Sequence, residues 1–180
     1  MTVMLRPAGA DDLIAVGALH HRSRAAAYAP FLSREALAEP APAALGHYWR
    51  ERWSHERADH VLTVAERDGQ LIGFSYVGPD DQGDPSTGLL HAVHLEPAEQ
   101  GHGLGRMLMA DALAGMRSRG WQAAALWVLR LNKPARRFYE RGGWRPTGVT
   151  QPDLIGATPV VLLRYRRGCD PAPAGRSATA

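Results

Sequence analysis

The chain has 180 residues, of which 45% are hydrophobic and 22% charged, with a formal net charge of +3. This length predicts one domain over residues 1–168, followed by an Ala-, Pro-, Gly- and Ser-rich tail over 169–180 that we expect to be disordered. Cys169 is the only cysteine, which excludes a disulfide framework and a cysteine metal site. The absence of a signal-like segment and of any long apolar run predicts a cytoplasmic protein without a membrane partner, and the scattered arginines favour a solvated surface over nucleic-acid binding.

The first half of the chain combines helical and strand patterns. The predicted elements are a strand over 3–6, a helix that begins at Asp11 or Asp12, a proline-broken loop over 28–42 with a short helical piece after Ser33, a helix over 43–58, and strands over 60–66 and 71–77. Leu45, Trp49 and Trp53 are spaced by four residues and give the helix over 43–58 an apolar face. Asp68-Gly69 between the two apolar runs predicts a tight hairpin.

The second half begins with a polar loop. The predicted elements are this loop over 78–88, a strand over 89–95, a helix over 103–119, a strand over 123–129, a helix over 133–141, and strands over 144–149 and 160–165. Asn132 is placed to cap the second helix, and Gly142 and Gly143 are placed to end it. Because strands and helices mix without strict alternation, the order predicts a mixed α/β (α+β) sheet with helices on both faces.

A glycine-rich turn, Gln100-Gly101-His102-Gly103-Leu104-Gly105, joins the strand over 89–95 to the next helix. Free backbone amides and a helix N-terminus meet there, which is an arrangement that binds phosphate. A nucleoside-triphosphate loop would require a lysine after the last glycine, where this chain has Arg106. A dinucleotide fingerprint would require a G-x-G-x-x-G spacing, which the three glycines do not have.

The turn matches Q/R-x-x-G-x-G/A and resembles the pyrophosphate loop of the GNAT superfamily of acetyl-CoA-dependent N-acetyltransferases. It follows Leu95-Glu96-Pro97, which is similar to the V-x-P of that family. Residues 126–144 resemble the second family signature, with Asn132, Phe138, Tyr139 and Gly143 at matching places and Trp144 instead of Phe. The resemblance is sharp over 90–144 and weaker over 3–167. It implies a GNAT-like, mostly antiparallel sheet of about seven strands, flanked by helices and splayed at the coenzyme site.

The resemblance also implies acetyl-CoA as co-substrate. The amides of residues 101–106 would bind its pyrophosphate, and Arg106 would either pair with a phosphate or be a surface arginine in the first turn of the helix. The pantetheine arm would pair with the strand edge over 93–95, where the N–H of Leu95 would stabilise the oxyanion. The coenzyme-binding residues so implied are Val93, His94, Leu95, Gln100, Gly101, His102, Gly103, Leu104, Gly105, Arg106 and Asn132.

Two residues are candidates for proton transfer. By resemblance, Tyr139 would protonate the coenzyme sulfur, and its alternative role is that of a core aromatic residue beside Phe138. His91 is the candidate base, since histidine titrates in the required range and histidine-using family members have theirs at this spacing. Strand alternation predicts that its side chain lies on the face of Val93 and Leu95. The alternative for His91 is a hydrogen-bonded, half-buried strand residue.

The family places the acceptor amine between the loop that follows the first helix and the loop that joins the last two strands, here about residues 28–41 and 150–158. Tyr28 and Phe31 would wall this pocket. The spacing of His20, His21, His55 and His60 gives no metal-ligand set, so no metal is expected.

The predicted reaction transfers an acetyl group from acetyl-CoA to a primary amine of a small molecule, by direct attack in a ternary complex. The alternatives are acetylation of a protein N-terminus or lysine, and a coenzyme-A-binding module without catalysis. A nucleic-acid-binding role ranks behind these. The family also allows a homodimer.

Overall fold

The computed structural model describes residues 2–169. The helices and strands, in chain order, are β1 Met4–Pro7, α1 Leu13–Tyr28, α2 Arg34–Ala38, α3 Pro42–Glu56, β2 Val61–Arg67, β3 Gln70–Pro79, β4 Thr87–Leu95, α4 Leu104–Ser118, β5 Ala123–Leu129, α5 Lys133–Arg141, β6 Arg145–Ile155 and β7 Thr158–Gly168. Each predicted helix and strand is present. The predicted tail, apart from Cys169, lies outside the described residues. Within residues 2–169, no helix is both long and apolar enough to cross a membrane.

The seven strands form one sheet in the order β1-β2-β3-β4-β5-β7-β6. Only β4 and β5 pair in parallel, and all other neighbours are antiparallel. The predicted mixed, mostly antiparallel sheet of about seven strands is therefore confirmed. Apolar residues of α1 and α3 cover one face of the sheet, and those of α4 and α5 cover the other. We call these the α3 face and the α4 face.

The two helices of the α3 face cross in close contact. A Cβ added to Gly17 in α1 would lie 2.3 Å from the backbone nitrogen of Gly46 in α3. No larger side chain fits at this crossing, so the pair of glycines sets how closely the helices approach. Tyr28 lies at the C-terminal end of α1, and Arg52 lies in the last two turns of α3.

The sheet opens between β4 and β5. Their pairing runs from Thr87↔Ala123 to Leu90↔Leu126 and then stops. Beyond this point β4 continues alongside β3, whereas β5 continues alongside β7. The inner edges of residues 91–95 and 127–129 are thus left without strand partners and form a V-shaped opening. The splayed sheet expected at the coenzyme site is present.

A β-bulge in β4 lies at the start of this opening. Tyr76 pairs with Ala92 and Val77 with Leu90, so His91 is an extra residue without a partner in β3. The bulge breaks the strict alternation of side chains. His91 consequently points to the α3 face with His94, and not to the α4 face with Val93, so the predicted face of His91 is wrong.

The last hairpin is longer than predicted. β6 and β7 pair from Arg145↔Arg166 to Ile155↔Thr158, which leaves only a two-residue turn at 156–157. The expected loop over 150–158 is therefore mostly strand. β6 is an edge strand whose residues 145–154 are all exposed, so it lacks the apolar alternation that signals a half-buried strand. Its two prolines are tolerated because an edge strand has one unpaired side.

Candidate active site

The glycine turn presents a row of free backbone amides. Gly101 and Gly103 have φ values of 84° and 91°, in the left-handed region that favours glycine. The amides of residues 101–105 make no hydrogen bond within the described part of the chain. The amide of Arg106 donates to the Gly103 carbonyl at 3.0 Å, so the amide row is one residue shorter than expected. Together with the N-terminus of α4, this row fits a pyrophosphate.

Side chains around the turn divide into core and surface. Leu104 is buried against Leu108, so only its amide is available to a ligand. Gln100, His102 and Arg106 are exposed. The Arg106 guanidinium lies back over the turn, with one nitrogen 3.7 Å from the point where a Gly103 Cβ would be. A phosphate in the turn would therefore have one mobile cation beside it.

The open edge of β4 provides two further donors. The amide of Glu96 donates to Ile72 of β3, and amide direction alternates along a strand. The amides of Val93 and Leu95 consequently point into the opening, where an extended amide-containing arm would find them.

The structure argues against His94 as a coenzyme contact. The same alternation turns its amide towards β3, and its side chain packs on the α3 face. There its Nδ1 lies 3.1 Å from the Ser23 hydroxyl, and its ring centroid lies 4.3 Å from that of His20. Burial holds the pKa of His94 well below its usual value, so the residue is neutral.

Tyr139 and Asn132 belong to the α5 side of the opening. The Asn132 side chain accepts a hydrogen bond from the Ala135 amide at 3.2 Å and caps α5, as predicted. Tyr139 is half-buried between Phe138 and Trp144, and its hydroxyl has no hydrogen-bond partner among the described residues. Burial, and secondarily the neighbouring Tyr28, raise the pKa of Tyr139, so this hydroxyl keeps its proton at neutral pH.

Tyr28 and Phe31 pack together at the C-terminal end of β5. Their ring centroids are 5.5 Å apart, and both rings contact an apolar cluster that includes Leu129 and Val160. Burial raises the pKa of Tyr28. This placement suits a wall of an acceptor pocket.

His91 is held by Arg52 of α3. Arg52 Nη2 lies 3.0 Å from His91 Nδ1, and a guanidinium can only donate, so Nδ1 accepts and Nε2 carries the proton. That Nε2 is buried without a partner among the described residues. Burial, Arg52 and His60 together lower the pKa of His91 to about 4. With its one lone pair occupied and its pKa so low, His91 is poorly suited to accept a proton from an amine.

The residues that surround His91 were not predicted from the sequence. Arg52 Nε donates to Glu56 at 2.6 Å, its Nη1 donates to Tyr48 at 2.7 Å, and Tyr76 donates to the same Glu56 oxygen at 2.5 Å. The spacing of Tyr48, Arg52 and Glu56 by four residues was the available signal. Strand neighbours such as Tyr76 gave none.

Two acidic residues, Asp80 and Asp81, lie on the α3 face beside the β5 edge of the opening. Asp81 accepts from Trp127 Nε1 at 2.7 Å and from Arg164 Nη1 at 2.8 Å, while the second Arg164 nitrogen pairs with Asp80. The sequence showed only a polar loop here, because Trp127 and Arg164 are distant along the chain. Within residues 2–169, no three His, Cys, Asp or Glu side chains come together as metal ligands.

A splayed sheet, a free amide row at a helix N-terminus and a tyrosine beside the opening define a domain that binds an acyl-coenzyme A. The model of the acetyltransferase (GNAT) family matches residues 28–144. The chain therefore belongs to the GNAT family of acetyltransferases, enzymes that take the acetyl group of acetyl-CoA.

Curated relatives and solved structures agree with this family. The chain is 44% identical over 85 residues to a mycothiol acetyltransferase of Thermomonospora curvata, and 33% identical over 96 residues to one of Rhodococcus jostii. These matches cover 46% and 52% of the chain but only 27% and 32% of the relatives, so the chain spans about a third or less of their length.

Two solved structures share the fold at low identity. PaiA N-acetyltransferase from Thermoplasma acidophilum, in complex with coenzyme A, has a TM-score of 0.71 at 20% identity over 91% of this chain and 98% of its own. An acetyltransferase from Salmonella typhimurium with its cofactor acetyl-CoA has a TM-score of 0.70 at 18% identity, over 99% and 100%. At these identities the two structures show that the fold is shared.

Proposed function

We propose that the protein transfers the acetyl group of acetyl-CoA to a primary amine of a small molecule, by direct attack in a ternary complex. The observation that carries this proposal is the opening between β4 and β5, where strand pairing stops after Leu90↔Leu126. The amide row lies on the α4 side, and Tyr28, Trp127 and Asp81 lie on the α3 side. Donor and acceptor can thus meet without an acetylated enzyme, and the only cysteine, Cys169, is buried beyond the end of β7.

The chain's own groups account for the remaining chemistry. Bound acetyl-CoA supplies the thioester, and the amides of Val93 and Leu95 stabilise the negative charge that develops on its carbonyl oxygen. The Tyr139 hydroxyl donates a hydrogen bond to the leaving sulfur. An alkylamine with a pKa of about 10.4 is neutral in about one molecule in 2,500 at pH 7. The amine enters as this neutral fraction and attacks the carbonyl carbon, the C–S bond breaks to release the thiolate of coenzyme A, and the proton lost by the nitrogen passes to water.

Free-thiol release from acetyl-CoA, measured with a panel of small primary amines, tests the proposal. We expect at least one amine to accelerate release tenfold or more over hydrolysis, with a rate that rises about tenfold per pH unit below the pKa of the amine. Tight coenzyme binding without acceleration would instead indicate a non-catalytic module. Acceleration only by peptides with a free N-terminus or lysine would indicate a protein acetyltransferase.

Replacing His91 tests whether it is the base. In His91→Asn the amide oxygen still accepts from Arg52, but the side chain no longer titrates. We expect kcat within about threefold of the wild type and an unchanged pH profile between about pH 6 and 9, because the histidine is already neutral there. A loss of about 100-fold in kcat, together with disappearance of the fall in kcat at low pH, would instead identify His91 as the base. Thermal unfolding of the variant checks that the domain remains folded.

A further inference from the structure

Arg24 of α1 is a partly buried cation that has no ion-pair partner among the described residues. Its Nη2 donates to the backbone carbonyls of Leu37 at 3.2 Å and of Glu39 at 2.7 Å, and these two contacts hold the guanidinium in place. Its Nε is buried without a hydrogen-bond partner, and its Nη1 has no partner in the described part of the chain either. The guanidinium is therefore fixed and charged, with donors that the protein itself leaves unused.

The position of Arg24 follows from its neighbours on α1. His20, Arg24 and Tyr28 are spaced by four residues and lie along one stripe of the helix. The His20 ring centroid lies 4.3 Å from that of His94, on the β4 side of the opening. Tyr28 packs on the cluster that contains Leu129, the last residue of β5. The helix thus crosses the opening on the α3 face, and Arg24 lies between its two edges.

The charges around Arg24 do not balance it. Burial lowers its pKa against the opposing effects of Tyr28 and Glu39, and a guanidinium remains charged at neutral pH. The Glu39 carboxylate accepts from the Ala41 amide at 3.1 Å and forms no ion pair with Arg24. The two histidines on the β4 side are neutral, since burial lowers their pKa values. Asp81 lies at the closed end of the opening, where strand pairing stops, and is already ion-paired.

A ligand that matches this site carries one negative charge. A guanidinium suits the planar geometry of a carboxylate, and partial burial strengthens such a pair. A phosphate monoester carries nearly two negative charges at neutral pH, of which a single arginine would balance only one. We propose that Arg24 binds a carboxylate of the acceptor, so that the acceptor is an amino acid or another small primary amine that carries a carboxylate. This inference rests on the proposed function and adds the acceptor class to it.

Matched pairs of acceptors test the assignment. Thiol release from acetyl-CoA is measured with L-α-amino acids and straight-chain ω-amino acids, and with the amides of the same compounds, which lack only the carboxylate. Rates are compared per neutral amine, because loss of the carboxylate changes the pKa of the amine. Arg24→Gln removes the cation, and Arg24→Lys keeps the charge without the guanidinium. Arg50→Gln makes the same charge change at an exposed residue of α3.

We expect the wild type to prefer the carboxylate of its best pair by about 10- to 100-fold in kcat/KM, the range for a hydrogen bond to a charged group. Arg24→Gln should lose this preference through the KM of the acceptor, Arg24→Lys should keep part of it, and Arg50→Gln should keep all of it. A purely structural role of Arg24 would slow both members of a pair alike and leave their ratio unchanged. That result, or equal use of both members by the wild type, would overturn the assignment.

Two further measurements separate this inference from the proposed function. The KM for acetyl-CoA should be the same in all four proteins. If Arg24→Gln fails to fold, the ratio in the wild type and its decrease in Arg24→Lys still decide the question. A preference for phosphoethanolamine over ethanolamine that exceeds every carboxylate preference would also overturn the carboxylate assignment while leaving the acetyltransferase intact. Failure of every amine with the wild type would instead count against the proposed function.

Discussion

Tyr139→Phe is expected to lower kcat by about 30- to 100-fold while leaving the affinity for acetyl-CoA within about twofold. The Tyr139 hydroxyl has no hydrogen-bond partner among the described residues, so its removal breaks no internal contact. Positioned proton donors contribute about 10²–10⁴-fold to catalysis. The lower end applies here, because a thiolate with a pKa of about 8.5 is already a good leaving group.

The raised pKa of Tyr139 defines what the hydroxyl can do. Its pKa lies above the ordinary value of 10, well above that of the thiol, so full transfer of the proton to sulfur is uphill. We therefore expect the tyrosine to stabilise the leaving thiolate by donating a hydrogen bond. In that case the pH dependence of kcat should show no titration step caused by Tyr139 below about pH 9, because the hydroxyl remains protonated over this range.

Tyr165→Phe is the matched control, since it removes the same atom from a different part of the structure. The Tyr165 hydroxyl donates to Glu140 at 2.8 Å and accepts from Arg136 at 3.1 Å, and its side chain is fully buried. This variant should lose stability by about 1–2 kcal/mol and keep its kcat. Stopped-flow thiol release and equilibrium denaturation separate the two effects. Unchanged kcat in Tyr139→Phe would remove this residue from the reaction.

The parts of the site that the sequence predicted are those set by neighbours in the chain. The amide row depends on Gly101, Gly103 and the start of a helix, all within a few residues. The cap by Asn132 and the hairpin turn at 68–69, where both residues have positive φ, are equally local. Local patterns of this kind specify backbone conformation directly, so the amide row, the helix cap and the hairpin turn were largely predictable.

The acceptor side was not predictable in the same way. One extra residue in β4 turns His91 to the opposite face, and nothing in the sequence around it marks the bulge. The side chains that pair on this face are distant along the chain. Arg52 and His91 are 39 positions apart, and Asp81 and Arg164 are 83 positions apart. Such pairs depend on the strand order and register of the sheet, and local patterns in a single sequence do not specify either.

The same long-range network leads to the largest expected effect on stability. Arg164→Met removes the only cation among the described residues that pairs with Asp80, whose carboxylate is 1% exposed and cannot turn to solvent. Breaking a buried ion pair on one side costs about 3–5 kcal/mol, because the remaining charge stays buried without compensation. For a domain of this size, that corresponds to a fall in Tm of about 6–20 °C.

Arg166→Met is the internal reference for this prediction. Arg166 follows Arg164 by two residues on β7, but its side chain is 49% exposed and its pair with Asp84 spans 3.2 Å. Pairs of this kind contribute at most about 1 kcal/mol, so the Tm should fall by no more than about 4 °C.

A double variant identifies the cause of the Arg164→Met defect. Without its cation, the Asp80 carboxylate stays buried as an unpaired charge, and Asp80→Asn replaces this charge by a neutral amide. Asp80→Asn in the Arg164→Met background should therefore recover part of the lost stability in equilibrium denaturation at neutral pH. A defect that is not relieved by Asp80→Asn would instead point to lost packing of the arginine over the Trp127 ring, 5.3 Å away.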